Sequence, residues 1–390
     1  MTKYPPELWK HPVLGLIPYV YPTPEVQKVM DNLPKQTVGL VMIAKNEARV
    51  LKRCLNSVKH LITTYTILLN GTTDGSEKVI KETLGGIVQG EVIMTTWKGY
   101  SDTRNEALAI AEKKSEWLLL IDADDELECE KLPWLEADAY DCAVRYKETT
   151  YPRTFLIKSS KGFRYHGKIH ETLDIPRSYD RPCLTNVLYH YHADGASWED
   201  PEKYRKYAEI LEEEIQTCTA EEKPSKYFML AQSYKDAGMK REALMCYRNR
   251  LVLGGWEQEI FMSWMSLGEL DRQPECWLRA IDAFPLRKVE ALYELTKFFN
   301  ETNGIRSAWM FAQAALPQGE VTTLAIPVAL LVPRGVYLWR MLEQYAVAAY
   351  NVGEKEKARH ALLVLLNVAP EETKDFIRKN LEMLNGQSRK

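Results

Sequence analysis

The feature that most constrains the fold of this chain is a change of sequence period near residue 200. Between residues 37 and 145, β-rich apolar runs alternate with polar, helix-prone stretches. The runs begin about 25 residues apart, which leaves room for one crossover helix between parallel strands. From residue 201 onward the strand signals vanish and apolar residues recur at helical spacing. The sequence therefore predicts an α/β domain followed by an all-α domain.

The predicted parallel strands are residues 38–43, 64–69, 92–95 and 117–121, with helices expected at 47–58 and 101–113. Functional groups should gather where these strands end. Between residues 140 and 192 the pattern changes to short aromatic and β-branched pieces broken by glycine and proline. These pieces are expected to form antiparallel strands and loops that make a second subsite on the same domain.

The helical half carries a repeat signal. Tyr227, Leu230, Ala231, Tyr234 and Gly238, followed by Ala243 and Tyr247, have the spacing of a tetratricopeptide repeat, and a weaker copy runs from Leu342 to Ala358. Residues 256–317 fit a plain antiparallel bundle as well. Such repeats form concave surfaces for extended partners. The predicted domains are an N-terminal extension (1–36), an α/β domain (37–200) and a repeat domain (201–390).

Composition excludes several classes of protein. The 390 residues are 45% hydrophobic and 27% charged with a net charge of −3, which is the balance of a soluble folded chain. No apolar run approaches the ~20 residues that span a bilayer, and residues 1–20 lack the apolar stretch of a secretory signal. Seven scattered cysteines without a CxxC pair favour reduced thiols. We therefore expect a cytoplasmic protein without membrane insertion.

The most informative local pattern is the acidic run Asp122, Asp124, Asp125 and Glu126 directly after the fourth strand. Neighbouring carboxylates raise one another's pKa unless a cation neutralises them. Hard oxygen ligands suit Mg²⁺ or Mn²⁺, which complete their shell with water and phosphate oxygens. An isolated Asp-x-Asp (DxD) pattern also occurs in solvated acidic turns, but its place at a strand end favours a metal site.

With the strands placed, residues 38–192 resemble the catalytic domain of glycosyltransferase family 2, which has the nucleotide-sugar-binding GT-A fold. Five elements in the family's order carry this resemblance: residues 42–47, residues 71–76, Arg104-Asn105, residues 122–125 and His170-Glu171. The helical half resembles the repeat region that often follows this domain. The resemblance implies an inverting, metal-dependent enzyme that moves a hexosyl or pentosyl group from a nucleoside diphosphate sugar to an acceptor hydroxyl.

The same resemblance implies the metal ligands. Asp124 is the expected direct ligand of Mn²⁺ or Mg²⁺, and Asp122 lies nearby to orient the ribose or the metal-bound water, with Asp125 suited to either task. The family often adds a histidine, for which His190 or His192 is suitably placed. The alternative is a pair of surface histidines on an edge strand.

The donor pocket is also implied by the resemblance. Its expected residues are Ile43, Ala44, Asn46, Glu47, Asn70, Asp74, Arg104 and Asp122. Arg104 offers a cation to the diphosphate, or else makes a structural salt bridge. The family usually ends its second strand in an aspartate that binds uracil, whereas this chain has Leu69-Asn70. A UDP-sugar is expected, with Asn70 as the substitute for that aspartate.

Inversion needs one general base that deprotonates the acceptor hydroxyl. Glu171 matches the position of the family's base and is preferred to Asp174. A turn that hydrogen-bonds its own backbone is the alternative reading of His170-Glu171, but it does not explain the family match.

The acceptor is left open by the sequence. Residues 145–181 hold nine Lys or Arg against four acids, with aromatic residues between them. These side chains suit stacking on sugars or bases. A protein, peptide or saccharide acceptor along the helical repeats is preferred, and a hydroxylated base of viral DNA is the alternative.

Two other classes of protein are alternatives. One is a repeat-type adaptor whose transferase domain is inactive, against which the intact Asp122, Asp124 and Glu171 argue. The other is a nucleotidyltransferase, against which the absence of a GxxxxGK[ST] or GxGxxG motif argues.

Overall fold

The computed structural model describes residues 35–176, 178–317 and 320–387. The chain divides into two compact units, the first ending at Glu213 and the second running from Glu214 onward, except that Glu148–Thr150 group with the second. Residues 1–34 of the predicted N-terminal extension lie outside the described residues. The predicted bounds at residues 36 and 200 stay a prediction.

The first unit is built on a parallel sheet. Its strands follow the order β3-β2-β1-β4, and every neighbouring pair among them is parallel. The elements are β1 (Val38–Ala44), α1 (Ala48–Val58), β2 (Thr64–Asn70), α2 (Ser76–Leu84), β3 (Gln89–Thr95), α3 (Tyr100–Ala111) and β4 (Trp117–Leu120). The predicted α/β class is confirmed.

The two central strands are buried on both faces of the sheet, as their apolar runs require. One face packs with α1, whose buried residues Leu51, Leu55 and Val58 lie on one side of the helix. The other face packs with Ala107 and Leu108 of α3. Because helices cover both faces, the carboxyl edge of the strands is left to carry the polar site.

The sheet continues from β4 through β7, β6, β10 and β5. These further strands are β5 (Glu126–Glu128), β6 (Ala139–Tyr146), β7 (Thr149–Lys158) and β10 (Cys183–His190), while β8 (Arg164–His166) and β9 (Thr172–Asp174) form a separate hairpin. The expectation of antiparallel pairing is confirmed for β4 with β7 and for β5 with β10. It is wrong for the pair of β6 and β10, which run parallel to each other. The connection from β6 to β10 contains β7, β8 and β9, so it is long enough to bring the chain back in the same direction.

The remainder of the described chain is mainly helical. Its elements are α4 (Lys203–Thr217), α5 (Lys223–Asp236), α6 (Lys240–Leu253), α7 (Glu257–Asp271), α8 (Pro274–Ala283), α9 (Lys288–Glu301), α10 (Ile305–Ala315), β11 (Val332–Pro333), α11 (Met341–Asn351), α12 (Lys355–Val368) and α13 (Glu371–Gln387). The predicted all-α region after the α/β domain is confirmed.

The repeat signature corresponds to the helix pair α5 and α6. Ala231 and Ala243 are fully buried, and Tyr247 packs beside them in the interior. Gly238 has a φ of 74°, a conformation that glycine adopts without strain, between the two helices. Residues 256–317, which the sequence left open, also form consecutive helices, α7 to α10. No helix among the described residues is long and apolar enough to cross a membrane.

Candidate active site

The ends of β1 and β2 are tied together by polar side chains. Asn46, with a φ of 58°, accepts the backbone N–H of Thr73 on Oδ1 (2.8 Å). Asp74 accepts the N–H groups of Ala48 and Ser76 (2.9 Å each), so its carboxylate joins the start of α1 to the start of α2. Burial would raise the pKa of Asp74. The two backbone N–H groups and the Ser76 hydroxyl all donate to its carboxylate, however, and together they lower its pKa. Two of the predicted donor-pocket residues, Asn46 and Asp74, therefore shape the loop that follows each strand.

Asp122 lies just beyond β4 and is held by two arginines. Its Oδ1 accepts from Arg104 Nη2 (2.5 Å) and its Oδ2 from Arg153 Nη2 (2.7 Å). Burial alone would raise the pKa of Asp122, but the two guanidinium charges hold it well below its ordinary value. Both carboxylate oxygens are therefore engaged by cations.

Arg104 connects Asp122 to Glu171. Its Nε donates to Glu171 Oε1 (2.7 Å), and its guanidinium lies 5.4 Å from the centre of the Tyr165 ring. The neighbouring Asn105 exchanges two hydrogen bonds with the backbone of Tyr165 (2.8 and 2.9 Å), which anchors β8 to α3. Arg104 thus makes the salt bridge that was its alternative role, and it brings the candidate base to the acidic strand end.

Asp125 points away from solvent and is fully buried. Its carboxylate accepts the hydroxyl of Tyr189 (2.8 Å) and the backbone N–H of His192 (3.0 Å). Burial, followed by the charges of Asp122 and Asp124, raises the pKa of Asp125 to about 8. Its contacts are those of a group that fastens β10 to the end of β4.

Asp124 faces the loop that follows β10. Its Oδ2 accepts the backbone N–H of Gly195 (3.1 Å), and its carbonyl accepts from Arg53, which also pairs with Asp194 (2.7 Å). A Cβ on Gly195 would lie 2.7 Å from that carboxylate oxygen, so a side chain at this position would displace Asp124. Burial and then the charge of Asp122 raise the pKa of Asp124.

Glu47 accepts a hydrogen bond from the next backbone N–H in the loop after β10, that of Ala196. Both of its carboxylate oxygens lie 3.1 Å from the backbone nitrogen of Ala196. Burial raises the pKa of Glu47 to about 7, the Ala196 N–H opposes that rise, and the charge of Asp124 adds to it. Glu47 and Asp124 therefore form an acidic pair under residues 194–196, and a cation there would relieve their repulsion.

The histidines proposed as metal ligands have other partners. His190 Nε2 lies 2.8 Å from Glu128 Oε2, and His192 Nε2 lies 3.3 Å from Glu126 Oε2. No group of three or more His, Cys, Asp or Glu within the described ranges is placed to hold a metal ion. The structure does not bring together Asp122, Asp124 and His190 as three metal ligands. Asp122 forms ion pairs with two arginines, and His190 is paired with Glu128. These contacts fit a metal ion that has Asp124 as its protein ligand and phosphate oxygens and water in the rest of its coordination shell.

The end of β2 contains an unusual polar group. Asn70 is buried, and among the described residues its Oδ1 has no hydrogen-bond partner. Ile43 and Ala44 lie in β1 beside it in the sheet, where Ala44 is paired with Leu69. A buried amide oxygen without a hydrogen bond costs free energy of folding. The Oδ1 of Asn70 is therefore able to accept a hydrogen bond from a bound ligand.

Several residues of the site were not named from the sequence as site residues. In the sequence, Arg153 is one cation of the basic stretch, and only the fold shows that it lies on β7 within hydrogen-bond distance of Asp122. Gly195 and Ala196 act through backbone N–H groups, which leave no pattern in a sequence.

Part of the chain resembles a known protein family. Residues 40–163, which include β1 to β4 and the acidic strand end, match the model of glycosyl transferase family 2. Residues 40–163 are therefore similar to a family 2 glycosyltransferase domain. Arg104, Asp122 and Asp124 lie within the matched residues, whereas Glu171 and Gly195 follow them.

Several relatives match part of the chain. An uncharacterized glycosyltransferase of Rickettsia bellii is 34% identical over 98 residues, which are 25% of this chain and 31% of the relative. A TPR repeat-containing protein of Synechococcus elongatus is 35% identical over 149 residues, 35% of each chain. The SPbeta prophage-derived glycosyltransferase SunS of Bacillus subtilis is 28% identical over 172 residues, 40% of this chain and 38% of the relative. The chain thus spans about a third of the length of these relatives.

Among solved structures, residues 1–349 of Staphylococcus aureus TarS in complex with UDP-GlcNAc are 13% identical to this chain. That match covers 74% of this chain and 94% of the other, with a TM-score of 0.31.

Proposed function

We propose that this protein transfers a sugar, with inversion, from a nucleoside diphosphate sugar to an acceptor hydroxyl. One observation carries the proposal. Arg104, in the part of the chain that matches family 2, bonds both to Asp122 at the end of β4 and to Glu171 before β9, so Asp122 and the candidate base form one connected site.

On the donor side, Asp124 is the proposed protein ligand of Mn²⁺ or Mg²⁺. Such an ion, when bound, neutralises the charge that develops on the departing diphosphate. Asp122, engaged by Arg104 and Arg153, acts instead as the carboxylate that fixes both guanidinium groups at the site. Glu47 adds negative charge beside Asp124 and strengthens the attraction for a cation.

On the acceptor side, Glu171 is the proposed general base. Its carboxylate is mostly buried and bonds to Arg104 through Oε1, and this bond fixes its orientation. As the acceptor oxygen bonds to the anomeric carbon, the hydroxyl proton passes to Glu171 and the bond to the diphosphate breaks with its electron pair on the phosphate oxygen. One carboxylate is sufficient for this step.

The donor base is proposed to be uracil, read by Asn70. The buried Oδ1 of Asn70, without a hydrogen-bond partner among the described residues, supports an acceptor role in place of the family's aspartate. We further propose a cytoplasmic location, which agrees with the seven free thiols of the chain.

A protein, peptide or saccharide is the proposed acceptor, and the basic stretch gives the nucleic-acid alternative little support. Five of its cations pair with acids of the same unit: Arg153 with Asp122, Lys161 with Asp138, Arg164 with Glu112, Lys168 with Glu213 and Arg181 with Asp141. Arg177 lies outside the described residues. Cations neutralised in this way contribute little attraction for phosphates.

The test compares two carboxylates of the β9 region. Glu171→Gln should lower the transfer rate by about 100-fold to 10,000-fold, the range for loss of a general base, and should leave donor affinity unchanged. Asp174→Asn is the matched control, since Asp174 is exposed and its carboxylate lies 4.0 Å from His166. Transfer is measured by mass spectrometry over peptide and glycan panels, and donor affinity by thermal stabilisation with UDP-sugars and Mn²⁺.

Each outcome separates the candidates. Full activity of Glu171→Gln would refute the assignment of the base, and loss only in Asp174→Asn would transfer that role to Asp174. Failure of the wild-type protein to bind any nucleotide sugar would instead favour the adaptor.

A further inference from the structure

Lys203, at the start of α4, has its ammonium group inside a box of aromatic rings. Its Nζ lies 3.6 Å from the centre of the Trp198 ring and 5.8 Å from those of Tyr204 and Tyr207. It also donates to Ser197 Oγ at 3.4 Å. Cation–π contacts of this kind hold an ammonium in position, and they leave its charge unneutralised.

The box lies between the two halves of the site. Trp198 follows Gly195 and Ala196, whose N–H groups bond to Asp124 and Glu47. On the other side, the Tyr207 ring is 5.5 Å from that of His170, the residue before Glu171. The aromatic box therefore connects the loop that bonds to Asp124 and Glu47 with the segment that carries Glu171, and the charge of Asp124 acts on the Lys203 ammonium.

Three other cations of this site are already paired with carboxylates. Arg104 and Arg153 pair with Asp122, and Arg53 pairs with Asp194. Within the described part of the chain, Lys203 has no carboxylate oxygen at ion-pair distance, although it is attracted by Asp124 and Asp200. Burial lowers the pKa of Lys203, while these two acids oppose the change. A half-buried ammonium of this kind gains most from an anionic ligand.

We propose that Lys203 binds the diphosphate of the nucleotide-sugar donor and stabilises the negative charge that develops on it during transfer. This inference rests on the function proposed above. The sugar leaves the diphosphate oxygen, which keeps the electron pair, and Lys203 stays protonated throughout. A fixed cation beside a departing oxyanion contributes because it needs no reorganisation during the reaction.

The test separates phosphate binding from nucleoside binding. UDP, GDP, ADP and CDP are first titrated into the full wild-type chain with Mn²⁺, and the tightest binder is carried forward with its own nucleoside. Lys203→Met keeps the length of the side chain and its apolar contact with the rings but removes the charge. It should weaken diphosphate binding by about 10-fold to 100-fold, as expected for one charge-assisted hydrogen bond, and leave nucleoside binding unchanged.

Two further variants complete the test. Lys206→Met is the matched control, because Lys206 lies on the same helix, is exposed and pairs with Asp200 at 2.6 Å. It should bind both ligands as the wild type does. Lys203→Arg retains the charge and should restore most of the lost diphosphate affinity.

Two results would overturn the role of Lys203. One is wild-type diphosphate affinity in Lys203→Met, and the other is an equal loss of diphosphate and nucleoside affinity, which would show a structural role. Failure of wild type to bind any nucleoside diphosphate would reject the proposed function itself, and with it this inference.

Discussion

At the scale of single residues, three aspartates close together in the chain have three different environments. Asp122 is held by Arg104 and Arg153, Asp124 faces the N–H of Gly195, and Asp125 is buried beneath Tyr189. The pKa of Asp122 is lowered, whereas those of Asp124 and Asp125 are raised. The residue type is constant, so the surroundings alone assign each carboxylate its role.

Asp124 therefore carries the prediction about the metal. Asp124→Asn should lose metal-stimulated transfer by about 100-fold or more, because the amide is a weaker ligand and the charge that attracts the cation is gone. It should also lose the extra thermal stabilisation that Mn²⁺ gives to the donor complex. The measurement is the transfer rate and the melting temperature with donor, each across a Mn²⁺ titration.

Glu128→Gln serves as the control, since Glu128 is exposed and pairs with His190. It should respond to Mn²⁺ as the wild type does. Loss of the metal response in Glu128→Gln, with Asp124→Asn unaffected, would move the metal to the His190 edge.

At the scale of elements, apolar spacing predicted most strands and helices of the α/β domain to within a few residues, as for β1 and α1. The direction of β10 was not predictable, because a strand's own residues fit parallel and antiparallel neighbours alike. The helical region likewise contains a buried ion pair (2.7 Å) between Arg287, just before α9, and Glu290 in the first turn of that helix. Nothing in the amphipathic pattern marks it as interior.

This pair makes a prediction about stability. Arg287 is fully buried, lies 4.5 Å from the centre of the Phe261 ring and donates to the carbonyl of Leu330, while Glu290 also accepts from Tyr337. Arg287→Met should destabilise the protein by about 3–5 kcal/mol, because Glu290 would be left buried without its cation. Urea denaturation followed by circular dichroism measures this loss.

The matched control is Arg279→Met in the exposed pair with Glu275 (3.5 Å) on α8, which should cost less than about 1 kcal/mol. Replacing Arg287 and Glu290 together with Met and Leu should cost less than Arg287→Met alone. Equal stability of Arg287→Met and wild type would show that the pair is not needed for the fold.

At the scale of the whole molecule, a net charge of −3 and a basic stretch in which five of nine cations pair with acids predict weak dependence of acceptor recognition on salt. Transfer to a peptide or saccharide acceptor should change by less than about twofold between roughly 50 and 200 mM salt, because few phosphate contacts are involved. The measurement is initial rate against salt concentration at saturating donor, with a neutral osmolyte as control. Transfer to single-stranded DNA with a steep fall over this range would reverse the preference between acceptors.

The sequence by itself determined the order of the two kinds of structure, the strand ends and the residues that resemble family 2, because periodicity and short motifs are local properties of the chain. Tertiary structure alone decided that Asp122 binds Arg104 and Arg153, that Asp125 is buried, and that His190 pairs with Glu128. It also placed Lys203 among its aromatic rings. Many of these contacts join residues far apart in the chain, and both the partner and the pKa that results depend on packing and burial, which no local pattern records.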